Sequence, residues 1–201
     1  MRKSGDDDRR TKYTKKVIHE AYCGLLAKKP YEKITVKEIC EIADINRSTF
    51  YLHYADSASV MTEIEDALID MMMQKVIEGY QNGASNYELT LLFTDLFLQN
   101  RKGDFLGKVT FGVYGTGKIQ EKMQKRFVEF FAPRIAERSD ISEREAFLIL
   151  NYLSGGLIPF TKHWYENDFQ NVAEEFPVLD KLIRASFSTF GIDVHDFSVS
   201  Q

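Results

Sequence analysis

The sequence predicts an all-α chain, and three observations carry that expectation. Apolar residues recur at steps of three and four over most of the length, the spacing of one helix face. Ser/Thr-x-x-Glu pairs, which let two residues at a helix start satisfy each other's free backbone donors, occur at Thr35/Glu38, Ser85/Glu88 and Ser142/Glu145. With 12 Gly and 4 Pro in 201 residues, the chain is poor in the turn formers of a loop-rich β protein, and no segment alternates as a strand would.

The first helix is expected from about Arg10 to just before Pro30, with Val17, Ala21 and Leu25 flanked by Ile18, Tyr22 and Leu26 as its apolar stripe. A short helix follows the Thr35/Glu38 cap, with Val36, Ile39, Cys40 and Ala43 on one face. Asp44-Ile45-Asn46 interrupts it. Asp44 tolerates a left-handed turn conformation, and Asn46 is a good cap for a new helix, R-S-T-F-Y-L-H-Y, ending near Tyr54. A long helix runs from Ser57 toward Gln81 and breaks at Asn82-Gly83. Ser85 opens another to about Asn100, and a shorter one covers Asp104 to Tyr114. Gly115-Thr116-Gly117 is a loop. Ile119 to Glu137 is helical, with Pro133 expected to kink the last turn. Ser142 starts a helix to Tyr165, where Gly155-Gly156 and Pro159 predict a bend. The last helix is expected from Val172 to Phe190.

Composition narrows the function classes. Apolar residues are 44% and charged residues 28%, the balance of a globular chain, and no apolar run approaches a membrane span. The N-terminus has basic residues but no apolar segment of a secretory signal, so a cytoplasmic location is expected. Cys23 and Cys40 then read as reduced, structural residues. Residues 1–60 carry 12 Lys/Arg against 9 Asp/Glu, whereas the remainder carries 14 against 21. A mildly basic front on an acidic body suits a nucleic-acid-binding head.

Lys33 to Tyr54 carries the chemistry. A longer helix followed by two short ones joined by a three-residue turn is the helix-turn-helix pattern, whose second short helix enters the DNA major groove. Arg47 can read guanine through two parallel hydrogen bonds, and Ser48, Thr49, Tyr51 and His53 offer hydrogen bonds to phosphate or base. Phe50 points the other way, into a core. The plain alternative at this level is a helical hairpin with a solvated polar face.

The run I-T-V-K-E-I-C-E-I-A-D-I-N-R-S-T-F-Y-L-H-Y resembles the DNA-binding signature of TetR/AcrR-type transcriptional regulators, most specifically in its T-F-Y-x-H-[FY] ending. The match covers about a quarter of the chain. The resemblance implies about nine helices: a three-helix DNA-binding domain (1–56) and a helical effector-binding and dimerisation domain (57–201). It implies a homodimer on the last two long helices, a ligand cavity in the body and a palindromic DNA operator. Carried over by position, Thr35 caps the second helix and sits at a phosphate, and Lys37 lies near the backbone. Arg47, Ser48 and Thr49 face base edges, Tyr51 and His53 hold phosphates, and Phe50 and Tyr54 are structural. Two positions depart from the pattern. Asp44 stands where Gly is usual. Ser57 stands where Lys is usual, which removes a phosphate contact that Arg9, Arg10 and Lys12 can offset. The stretch Y-L-S-G-G-L-I-P-F-T-K-H-W-Y-E-N is similar to a subgroup that includes dihydroxyacetone-kinase-type regulators, whose members can activate as well as repress.

In the body, Phe93, Phe97, Phe111, Tyr114, Phe127 and Tyr152 are candidate wall residues for a small, weakly polar or cationic effector. Lys118, Lys122, Lys125 and Arg126 read as a solvated stripe. The stripe Leu150, Leu153, Leu157 and Phe160 is the candidate dimer seam. The histidines at 19, 53, 163 and 195 lack metal-ligand spacing, G-T-G-K lacks the frame of a phosphate loop, and no nucleophile pattern occurs, so neither an enzyme nor a metal or cofactor protein is expected. The leading expectation is a ligand-responsive repressor that binds its operator as a homodimer. The alternative is a regulatory partner or co-activator of the same fold that acts mainly through another protein.

Overall fold

The computed structural model describes residues 4–83, 105–112 and 115–192. These contain eight α-helices and no strand: α1 (Ser4–Leu26), α2 (Val36–Ala43), α3 (Arg47–Tyr51), α4 (Ser57–Gln81), α5 (Phe105–Thr110), α6 (Ile119–Ala136), α7 (Glu143–Glu166) and α8 (Val172–Thr189). A single 3-10 turn at Tyr31–Lys33 joins α1 to α2. The helix expected from Ser85 to Asn100 lies outside the described residues. No described helix is long and apolar enough to cross a membrane.

Two compact units share these elements, one drawn from Met1–Leu68 and Lys108–Gly117, the other from Ile69–Gly107 and Lys118–Gln201. In the first, α1 packs on α2 and α2 on α3. α1 begins at Ser4, six residues earlier than the apolar stripe requires. Ile18, Tyr22, Leu26, Ile39, Phe50, Val60 and Met61 are all essentially inaccessible and form the core. Asp44 ends α2 at φ 53°, ψ 47°, the left-handed conformation a Gly would otherwise supply.

Glu65 is fully buried in this unit and accepts from the Thr116 amide at 2.9 Å and the Thr116 hydroxyl at 2.6 Å. The loop is closed on both sides by glycine. A Cβ on Gly115 would fall 2.2 Å from the Val109 carbonyl oxygen, and Gly117 has φ +75°. The G-T-G segment is a tether for a buried carboxylate.

In the second unit α6 lies along α7, with Val128, Phe131, Ala132 and Ile135 against Ala146, Ile149 and Leu150, and with Phe187 and Ile192 closing the cluster. α6 continues through Pro133 to Ala136, and α7 is continuous through Gly155, Gly156 and Pro159. A smaller cluster gathers Trp164, Val172, Phe176 and Leu179. The corner between α7 and α8 places two non-glycine residues in left-handed backbone, Asp168 at φ 53° and Phe169 at φ 56°. That conformation is unfavourable for a bulky side chain. It is held by the Phe169 amide donating to the Trp164 carbonyl at 2.7 Å, and by Phe169 packing on the Trp164 cluster.

Candidate nucleic-acid interface

Local chemistry builds the turn between α2 and α3. At the start of α2 the Thr35 amide and hydroxyl both donate to Glu38 Oε2, at 3.1 and 2.7 Å, and the Glu38 amide donates back to Thr35 Oγ1. Lys29 Nζ donates to the other Glu38 oxygen at 2.6 Å. Lys29 and Thr35 together bring the Glu38 carboxyl down to about 2. At the start of α3, Asn46 Oδ1 accepts from the Thr49 amide at 2.8 Å, the Thr49 hydroxyl at 2.9 Å and the Ser48 hydroxyl at 2.5 Å. α3 itself spans only Arg47–Tyr51, shorter than the expected reach to Tyr54. The chain still turns, with the Tyr54 amide donating to the Phe50 carbonyl at 3.0 Å.

Phe50 is 0% and Tyr54 5% exposed, which anchors one side of the segment in the core. The other side faces out. Arg47 and Ser48 are exposed, Thr49 and His53 are half-buried, and Tyr51 is 56% exposed, its ring edge-on to Phe50. Leu52, passed over in the sequence reading, is 81% exposed on the same segment.

The hydrogen bonds divide these residues by availability. Phosphate oxygens only accept. Thr35 spends its donors on Glu38, and the Ser48 and Thr49 hydroxyls spend theirs on Asn46. Lys37 is exposed and sits 3.8 Å from Glu41, a loose pair along the helix. The side chains of Arg47, Tyr51 and His53 make no hydrogen bond or ion pair among the described residues. Ser57, where a lysine is usual in the resembling family, is turned inward, its hydroxyl donating to the Ile34 carbonyl at 2.7 Å. Asp56 caps α4 by accepting from the Ser59 amide at 2.7 Å.

The body residues fall differently from the expectation. Phe93, Phe97 and Tyr114 lie outside the described residues. Phe111 is half-buried in the first unit, and Phe127 is half-buried in the second with its ring 4.7 Å from Phe131. Tyr152 is 80% exposed. Leu150 also departs from the expectation. It is 4% exposed in the α6–α7 core, because α7 is apolar on two faces and Leu150 is on the inner one. Leu153 and Leu157 are half-buried against the two clusters, and only Phe160 of that stripe is exposed. Further outward apolar side chains include Phe147, Leu148 and Tyr152 on α7 and Val178 and Leu182 on α8. In the basic stripe, Arg126 pairs with Asp70 and Lys125 lies 3.8 Å from Glu129. Among the described residues no group of three or more His, Cys, Asp or Glu could hold a metal ion.

No protein-family model matches the chain. An uncharacterized HTH-type transcriptional regulator of Bacillus subtilis (strain 168), YdeS, is 26% identical over 134 residues, 65% of this chain and 64% of that protein, so the match spans under two thirds of the relative's length. Among solved structures, a TetR transcriptional regulator from Streptococcus agalactiae 2603V superposes with a TM-score of 0.59 at 22% identity, covering 88% of this chain and 97% of that one. The fatty acid degradation regulator FadR from Bacillus halodurans superposes with a TM-score of 0.51 at 15% identity, covering 88% and 94%. The chain has the TetR-type fold. All three similar proteins are described as regulators and none as an enzyme.

Proposed function

We propose that this protein is a TetR-type transcriptional regulator that acts in the cytoplasm as a ligand-responsive repressor and binds a palindromic operator as a homodimer. One observation carries the DNA-binding part. The helix-turn-helix segment is anchored by buried Phe50 and Tyr54 and presents Arg47 and Tyr51 outward, with their donors uncommitted. Lys37 adds a cation on the preceding helix, and Thr35, Ser48, Thr49 and His53 complete the polar surface. Thr35, Ser48 and Thr49 enter hydrogen bonds with DNA as acceptors unless they release Glu38 or Asn46. This favours them as readers of base amino groups over phosphate donors. Of the two domains proposed, 1–56 takes the operator and 57–201 takes the effector and the second subunit.

The dimer seam is supported by the outward apolar side chains Leu148, Tyr152, Phe160, Val178 and Leu182, which cost free energy in water. Tyr152 moves from the proposed pocket to this seam, and Leu150 leaves it. The effector is a small molecule. Its proposed contacts in the second unit are Phe93, Phe97 and Phe127, and its binding lowers operator affinity by shifting the spacing of the two heads. Gly155, Gly156, Trp164 and Asn167 in the stretch Y-L-S-G-G-L-I-P-F-T-K-H-W-Y-E-N support the subgroup that includes dihydroxyacetone-kinase-type regulators. Selection of duplexes by the full chain from a random DNA pool tests the function. A recurring palindrome with half-sites about one helical turn apart is expected. Recovery of no preferred sequence refutes operator recognition and returns the reading to a partner protein of the same fold.

A further inference from the structure

Leu52 is the most exposed large apolar side chain among the described residues, at 81%, and it sits on the reading segment. Its backbone is still helical, at φ -70°, ψ -22°, and its amide donates to the Ser48 carbonyl at 3.2 Å. Side chains therefore keep helical bearings past the end of α3. At about 100° per residue, Leu52 lies about 200° around the turn from Phe50 and about 160° from Tyr54. Those two are the buried anchors, so Leu52 projects straight away from the core. Ser48, one turn earlier, shares its row. Tyr51 and His53 stand about 100° to either side. The anchored side is held firmly. The Tyr54 ring packs 5.7 Å from Phe50, and its hydroxyl meets His19 Nε2 of α1 at 2.8 Å. Glu63 of α4, which accepts from Lys15 Nζ at 3.0 Å, lies 3.8 Å from the same nitrogen and completes that cluster.

Resting on the DNA-binding reading above, we infer that Leu52 is a specificity-determining residue that reads a thymine through its C5 methyl group. An exposed leucine alone is ordinary on a protein surface. Here it takes the one bearing that leads directly away from the anchors. With the reading segment in the major groove, that bearing leads to the groove floor, where the base edges lie, and the flanking bearings of Tyr51 and His53 lead toward the phosphate walls. Leucine offers no donor or acceptor to a phosphate or to the polar atoms of a base edge. The apolar group on the groove floor is the thymine methyl, which a G·C pair lacks. Closing Leu52 on that methyl removes apolar surface of both from water, a gain that no G·C pair supplies at that position. The contact complements Arg47 five residues earlier, which selects guanine by hydrogen bonding.

The test uses the full chain and a duplex it has selected from a random pool, with each thymine of the recurring sequence replaced in turn by deoxyuridine. That exchange deletes the methyl group and keeps the base pair. At one thymine per half-site, wild type should lose about fourfold in affinity, the worth of one buried methyl group. Leu52→Ala should bind the unmodified duplex at least that much more weakly and should not respond to deoxyuridine at that position. Random duplex should be bound almost equally by both proteins. Leu52→Asn, close in size but polar, should repeat the result. A side chain 81% exposed supports no core, so the melting temperatures of all three proteins should agree, and a structural effect would not single out one methyl group. The inference is overturned if the selected half-site holds no thymine, or if no thymine separates wild type from Leu52→Ala. It is also overturned if Leu52→Ala loses equally on selected and random duplex, the mark of a contact to deoxyribose. Failure of the wild type to select any duplex overturns the DNA-binding reading, and this inference with it.

Discussion

Arg47→Ala separates base reading from phosphate contact at the residue on which sequence discrimination most depends. The Arg47 side chain is exposed and makes no ion pair or hydrogen bond among the described residues, so truncating it strands no buried partner. Stability should move by no more than about 0.5 kcal/mol. If the guanidinium reads a guanine edge through two hydrogen bonds, the selected duplex should lose about 1–3 kcal/mol, or about 5- to 150-fold in affinity. Random duplex should lose much less. Arg47→Lys sharpens the result by keeping the charge and its counterion release while giving up the planar fork, so most of the discrimination should still be lost. The assay is a titration of both duplexes at several salt concentrations, with a thermal melt of each variant. Equal loss on both duplexes, with the salt slope reduced by about one, would show that Arg47 touches phosphate and would refute the assignment.

Leu148→Glu with Leu182→Glu should give a folded monomer in sedimentation, because both side chains are more than half exposed, while Leu150→Ala should instead lower stability by about 2–5 kcal/mol by opening a core cavity. Dissociation by the Leu150 change without loss of stability would reverse the assignment of the two α7 faces. Phe50→Ala should destabilise the first unit by about 3–5 kcal/mol in urea unfolding. Thr116→Val removes a donor from the fully buried Glu65 carboxylate and should cost about 1–3 kcal/mol or more, checked by the same unfolding curve. Glu38 has a depressed carboxyl pKa, about 2 against an ordinary 4.5. Its contribution to stability is present above the ordinary value and is lost as pH falls toward about 2. Glu38→Gln should flatten that part of the acid unfolding profile, and an unchanged profile would show that the Lys29–Thr35–Glu38 cluster carries no pH dependence.

The sequence by itself determined the features that depend on neighbours along the chain. The caps at Thr35, Asn46 and Ser142 are present, as are the left-handed Asp44, the span Ser57–Gln81 of α4 and the loop at Gly115-Thr116-Gly117, because each depends on hydrogen bonds or backbone preferences within a few residues. Phe50 was legible as an anchor for the same reason, since a helix only a turn or two long leaves few choices of inward face, whereas Tyr54 was expected as structural only from the resemblance. Tertiary structure decided what lay across elements. α7 is apolar on two sides, and only its packing against α6 shows that Leu150 points in and Tyr152 out. Lys15 and His19 share a helix face at a spacing of four, but nothing in their spacing announces that Glu63, 48 residues after Lys15, closes the same cluster. The tether from Glu65 to Thr116 spans 51 residues. Ser57 looked like a lost cation and proved to be an inward hydrogen bond to Ile34. Periodicity reports that a face is apolar or polar, whereas the partner that meets it is chosen by the packing of segments far apart in the chain.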